Sequence, residues 1–168
     1  PYWNLIPNFK YRGQWGVCEK MGIWFGKELR ESGLYDTVDL IVPVPLHPRR
    51  LLHRGYNQSE YIARGIAASL GKHLEAHCLI RKRYNRSQTK THSRKDRWEN
   101  VSGIFSVRHP ERLEGKHILL VDDVLTTGST LTACAETLLK HLSFCRISIA
   151  TLAVSLYELS REQGTKSR

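Results

Sequence analysis

Ile118-Leu-Leu-Val-Asp-Asp-Val-Leu-Thr-Thr-Gly-Ser-Thr130 is the stretch of this 168-residue sequence that says most about its fold. Its apolar run predicts a buried strand over His117 to Val121, followed by an acidic loop carrying Asp122 and Asp123. Ser129 to His141 then reads as a helix. Small hydroxylated residues around Gly128, at a helix N-terminus, leave backbone N–H groups free to face an anion. Thr126, Thr127, Ser129 and Thr130 add hydroxyl donors, and Gly128 lets the backbone come close, so a monophosphate fits the concavity. The two carboxylates cannot bind a phosphate. They can accept hydrogen bonds from vicinal ribose hydroxyls, or help to hold Mg²⁺. A merely capped helix would account for the hydroxyls and acids. It would not account for two aspartates closing a buried strand, where unpaired charge is costly.

Outward from this segment, strands alternate with helices. Gly16 to Arg30 places Val17, Met21, Trp24, Phe25 and Leu29 on one predicted helical face. Asp39 to Val44 reads as a buried strand that ends near Pro43 and Pro45, which lack the N–H a ladder needs. Residues 46–57 read as a polar, Arg-rich loop. Gln58 to Leu70 is a second amphipathic helix, closed by Gly71. Cys78 to Ile80, Ile104 to Val107 and Arg146 to Val154 are further strand candidates, and the polar residues after Tyr157 are expected to fray. The alternation predicts one α/β domain with a mostly parallel sheet flanked by helices. Ligands of such sheets bind beyond the carboxyl ends of the strands, where the segments after Val44 and Val121 both open.

Composition narrows the class. No apolar run approaches the roughly 18 residues of a membrane span. Cys18, Cys78, Cys134 and Cys145 form no Cys-x-x-Cys pair, which suits buried thiols in a cytoplasmic protein. His73 and His77 lie four apart without a partnering ligand set. The net charge of +10 is clustered. Arg81, Lys82, Arg83, Arg86, Lys90, Arg94, Lys95 and Arg97 crowd residues 81–98 against Asp96 alone, and Arg49, Arg50 and Arg54 form a second group. Such clusters favour polyanionic partners, although a solvated basic face looks the same in sequence. A nucleoside triphosphatase strand would need a Gly-x4-Gly-Lys-Ser/Thr loop, and Gly65 to Lys72 has one residue too many.

At residues 118–130 the sequence resembles type I phosphoribosyltransferases, matching their signature for phosphoribosyl pyrophosphate (PRPP) at every position. Phe9-Lys-Tyr-Arg-Gly13, Val42-Pro-Val-Pro-Leu-His47, Arg54-Gly-Tyr-Asn-Gln58, Gln88 and Arg97-Trp-Glu-Asn-Val101 look like the ComF family, phosphoribosyltransferase-like proteins associated with natural competence and DNA uptake. This likeness runs from about residue 9 to 155. Leu79-Ile-Arg-Lys-Arg-Tyr84 also resembles the amidophosphoribosyltransferases, without their glutaminase domain. Many ComF-type proteins carry a Cys-rich zinc ribbon ahead of this region; Pro1 suggests a fragment that has lost it.

The resemblance implies a site. Asp122 and Asp123 would be catalytic, contacting the ribose hydroxyls and Mg²⁺, the metal being held mostly through substrate. Thr126, Thr127, Gly128, Ser129 and Thr130 would hold the 5-phosphate. Leu46 and His47 occupy the family's pyrophosphate loop, and Arg49, Arg50 and Arg54 would neutralise the leaving pyrophosphate. Residues 84–100 fall where related enzymes have a flexible lid, with Arg83, Tyr84 and Lys90 as its candidate contacts. Displacement of pyrophosphate from C1 of PRPP then requires fixed cations against developing negative charge. A second reading is a competence accessory protein that binds nucleotide, single-stranded DNA or the uptake machinery without catalysis, using the basic stretch with Tyr84 and Trp98. A third is an interaction protein with a decayed site, which the intact 122–130 segment opposes. A dimer is compatible with each. Tyr2, Trp3, Phe9 and Trp15 read as packing residues rather than a hood over the site.

Overall fold

The computed structural model describes residues 15–82 and 103–155. Its centre is the long strand that holds the two aspartates. We number the elements α1 (Trp15–Glu31), β1 (Leu40–Pro43), α2 (Pro48–Arg54), α3 (Gln58–Leu70), β2 (His73–Leu74), β3 (Leu79–Arg81), β4 (Phe105–Val107), β5 (His117–Leu125), α4 (Ser129–His141) and β6 (Arg146–Val154), with a 3₁₀ turn at Pro110–Arg112. The main sheet runs β2-β1-β5-β6 and all its pairings are parallel. β3 and β4 form a separate antiparallel pair, with Arg81 opposite Phe105.

β5 is apolar on both faces because both are covered, as expected of a parallel strand. Ile118 and Leu120 pack with Leu131, Cys134 and Leu138 of α4 and with Leu79 and Phe105 of the hairpin. Leu119 and Val121 pack on the opposite side with Cys18 of α1 and with Ile62 and Ile66 of α3. Each fully buried Leu or Ile contributes about 1.5–3 kcal/mol of transfer free energy. At the far end of the sheet, His117 bonds Ser148 Oγ of β6 and Thr37 Oγ1 in the turn before β1, both at 2.9 Å.

Helices α3 and α4 and strand β6 have the predicted bounds, and the sheet is parallel as expected. Three expectations are corrected. The buried line of α1 is Cys18, Gly22, Gly26 and Leu29; of the predicted face Leu29 is buried and Met21 and Phe25 are partly packed on the core, while Trp24 is 59% exposed and Val17 39%. The small residues lie inward because α1 packs backbone to backbone on α3: a Cβ on Gly22 or Gly65 would strike main-chain atoms of the other helix. Residues 48–54 are helical, not loop. His47 Nδ1 accepts from the Arg49 N–H at 3.1 Å, Pro48 opens the first turn, and Gly55 ends the helix at φ 86°. Finally, β5 continues through both aspartates to Leu125, because β6 pairs with it there: Asp122 faces Thr151, and Leu125 faces Val154.

Candidate functional site

Parallel pairing brings the C-terminal ends of β1 and β5 to one edge of the sheet. β1 ends at Pro43 opposite Val121, so β5 overshoots it by four residues. The first turn of α3 occupies the space vacated beyond β1, and Ser59 Oγ donates to Asp122 Oδ1 at 2.8 Å. The same oxygen accepts the Asp123 N–H at 3.0 Å, and Asp123 Oδ1 accepts the Val124 N–H at 2.8 Å. Burial, and then the adjacent Asp123 carboxylate, pushes Asp122 up to about 7, while the Ser59 bond opposes the rise. The second face of the overshoot is backed by Cys18, whose thiol is pushed up to about 11 by burial and bonds Tyr56. Burial likewise pushes Cys78 up to about 12, so both thiols stay protonated near neutral pH.

Thr126 and Thr127 are exposed, and Gly128 stands at φ 76° directly before α4. That left-handed conformation turns the chain sharply into the helix. No side chain caps α4. The Thr127 and Ser129 hydroxyls lie 2.9 Å apart, and the Gly128 carbonyl accepts from both the N–H and the hydroxyl of Thr132 at 2.9 Å. The Ser129 N–H also reaches Thr127 Oγ1 at 3.4 Å, so the turn is held from its carbonyl side and by this hydroxyl pair, with the exposed Thr126 and Thr127 on its open side. That arrangement suits an anion.

The third component follows β1. His47 is buried, and its imidazole is held below its usual range by desolvation first, then by Arg81, Arg49 and Arg50. Arg49 and Arg50 thus gather near His47. Arg54 lies at the other end of α2, where its guanidinium donates to Gln58 Oε1 at 3.3 Å. Leu46 is partly buried in the connecting turn. Arg81 joins this group from β3, a position not singled out by sequence because it stood among eight clustered cations. Its signal was the strand boundary: β3 runs one residue past the predicted Ile80 and carries Arg81 inward. Arg83, Tyr84 and Lys90, with the rest of 84–100, lie outside the described residues.

Asp122 and Asp123 are the acids at this edge, and among the described residues no third histidine, cysteine or carboxylate joins them as a metal cage. Such a pair suits Mg²⁺ only where ligand oxygens complete its shell, as this cation commonly requires.

Residues 57–167 match the phosphoribosyl transferase domain family. The chain is 37% identical over 112 residues to the DNA utilization protein YhgH of Salmonella typhimurium, covering 67% of this chain and 48% of that one. It is 32% identical over 153 residues to Competence protein F of Haemophilus influenzae, covering 89% and 66%. The chain belongs to the phosphoribosyltransferase family, in its ComF branch. It spans about half the length of the YhgH relatives. A hypoxanthine phosphoribosyltransferase from Staphylococcus aureus shares the fold, with a TM-score of 0.52 at 18% identity over 82% of this chain and 65% of that one. The α/β architecture of the ComF-type chain is accordingly the type I phosphoribosyltransferase fold, and the 122–130 segment lies at its strand-end edge.

Proposed function

We propose that the chain binds PRPP with Mg²⁺ and transfers its phosphoribosyl group to a nucleobase or amine acceptor. The bond from C1 to the pyrophosphate oxygen breaks, and a bond from C1 to the acceptor nitrogen forms. The observation that carries this reading is the acidic overshoot of β5 running into an open hydroxyl-and-glycine turn, beside the cations after β1. In this reading the 126–130 turn fixes the 5-phosphate, and Asp122 and Asp123 accept from the ribose hydroxyls. Arg49 and Arg50 meet charge developing on the leaving group. When bound, Mg²⁺ supplies further positive charge against the pyrophosphate oxygens.

A melting experiment with PRPP and Mg²⁺ tests the binding. Ligand at about 100 times its Kd should add roughly 2.7 kcal/mol, or about 5–10 °C in Tm for a chain of this size. Gly128→Val should abolish the shift, since its φ of 76° excludes branched side chains. Pyrophosphate release with an acceptor panel should be lost in Asp123→Asn. No shift with PRPP would end the reading, and a shift without turnover on any acceptor would end its catalytic half.

A second reading is favoured by what the relatives are called: a competence protein and a DNA utilization protein. We propose that the chain also contacts single-stranded DNA through the basic stretch 81–98. The two roles are compatible in one molecule.

A further inference from the structure

We infer that Ser59 is a positioning residue that makes the site prefer ligands with intact ribose hydroxyls over their deoxy counterparts. It acts by fixing the Asp122 carboxylate, and the inference rests on the PRPP reading above. Ser59 is buried, and its hydroxyl donates to Asp122 Oδ1 at 2.8 Å from an element 63 residues away in sequence. The Asp123 N–H donates to the same oxygen at 3.0 Å. Two donors from different elements thus fill the acceptor directions of Oδ1 and hold the plane of the carboxylate. Both bonds go to Oδ1, so Oδ2 is the oxygen open to a ligand.

The neighbours of Ser59 hold strand ends in the same way. Asn57 stands at the N-cap of α3, where asparagine ordinarily bonds the first helical N–H groups. It makes no such bond; its Nδ2 donates instead to the Val44 carbonyl at 3.0 Å. The Val44 N–H in turn donates to the Val121 carbonyl at 2.8 Å, one residue before Asp122. Asn57, Gln58 and Ser59 are all buried, although α3 goes on to bury Ile62, Ala63 and Ile66. Burying polar side chains is unfavourable unless each finds a partner, so stability alone would favour an apolar first turn here. The polar turn instead ties the end of β1 to Asp122. A charged carboxylate can only accept, and a ligand hydroxyl meets that need. A deoxy ligand would cover Oδ2 with carbon and leave an acceptor unpaired and shut off from water. Without Ser59 the carboxylate can turn toward water, and that penalty shrinks.

Calorimetric titration of the full chain with ribose 5-phosphate, its 2-deoxy and 3-deoxy analogues and inorganic pyrophosphate, each with Mg²⁺, tests the assignment. The parent should prefer ribose 5-phosphate over at least one deoxy analogue by about 10- to 100-fold. In Ser59→Ala that preference should fall to within about threefold, while pyrophosphate, which has no ribose, stays within about twofold. Ser59→Thr keeps the hydroxyl and should keep the preference. Ser59→Cys, close in shape but a weaker donor, should behave as the alanine variant does. Melting of the ligand-free variants checks their folding, and the cysteine variant decides where alanine is unstable. If Ser59→Ala and Ser59→Cys retain the parent's preference, or weaken pyrophosphate as much as ribose 5-phosphate, Ser59 does not act through Asp122, while the phosphoribosyl reading stands. A parent that binds ribose 5-phosphate and both analogues equally also overturns the inference. If the parent binds neither PRPP nor any of these probes, that reading falls and the inference falls with it.

Discussion

Asp122 shows what a binding residue costs the empty molecule. Its side chain is enclosed and bonded to Ser59, and its ionisation is raised from an ordinary 3.8 to about 7, chiefly by burial. The folded state therefore holds a proton on Asp122 at pH values where the unfolded state has released it. Stability from this group is fully present below about pH 4 and is lost as pH rises through about 7. Asp122→Asn keeps an oxygen that accepts from Ser59 and the Asp123 N–H, yet removes the charge. Without ligand and Mg²⁺, the variant should melt higher than the parent at pH 8, and the difference should shrink toward pH 4. A variant that melts lower at pH 8 would show that the carboxylate stabilises the empty fold. The acids and the turn were legible because their residue types are unusual at the end of an apolar strand. Arg81 was not, since among eight neighbouring cations nothing in sequence marks the one that turns inward.

At the scale of elements, legibility followed the size of the side chains that pack. α3 buries Ile62 and Ile66, and β6 packs Ile147 and Leu152 partly against the two sides of the core; both elements were readable to the residue, with Gly71 in the left-handed conformation closing α3. α1 buries the line Cys18, Gly22, Gly26 and Leu29 with Met21 and Phe25 partly packed beside it, so Trp24 and Val17 pointed to the wrong face while the rest of the predicted stripe did not. Close approach of two backbones produces no hydrophobic signal, although it sets the helix contact. The seven-residue α2 was missed for a related reason: it buries no side chain fully and is defined by His47, Pro48 and Gly55 at its ends. The glycine contact can be tested. A Cβ on Gly65 would meet the Glu19 carbonyl oxygen and the Ile23 nitrogen, neither of which can move without shifting α1. Gly65→Ala gains about 1 kcal/mol of helix propensity, but overpacking costs about 1–3 kcal/mol or more, and rigid backbone lies at the upper end. Urea unfolding should show net destabilisation of Gly65→Ala. Gly16→Ala, whose added carbon meets no atom of another element within 4 Å among the described residues, should be neutral or stabilising. Equal effects at the two sites would refute the backbone contact.

For the whole molecule, the parallel order β2-β1-β5-β6 brings the segments after β1 and β5 to one edge, although they lie about 80 residues apart in sequence. A net charge of +10 then acts on two kinds of anion. A small phosphorylated ligand needs cations at fixed positions, as with Arg50 and Arg81 around His47. A nucleic-acid backbone needs many cations along a track, and its affinity comes largely from released counterions. These requirements separate experimentally. Single-stranded DNA binding should fall steeply with salt, the log–log slope being roughly −0.7 for each phosphate neutralised. Reversing Arg94 and Lys95 to glutamate should weaken DNA and flatten that slope by about 1.4, while PRPP affinity at constant salt stays within about twofold. Asp123→Asn should do the opposite, removing PRPP binding and sparing DNA. Salt-insensitive or absent DNA binding would dismiss the nucleic-acid role and leave the charge to the phosphoribosyl site. Parallel loss of both ligands in the Arg94 and Lys95 variant would instead mean that one set of cations serves both, and that DNA and PRPP compete.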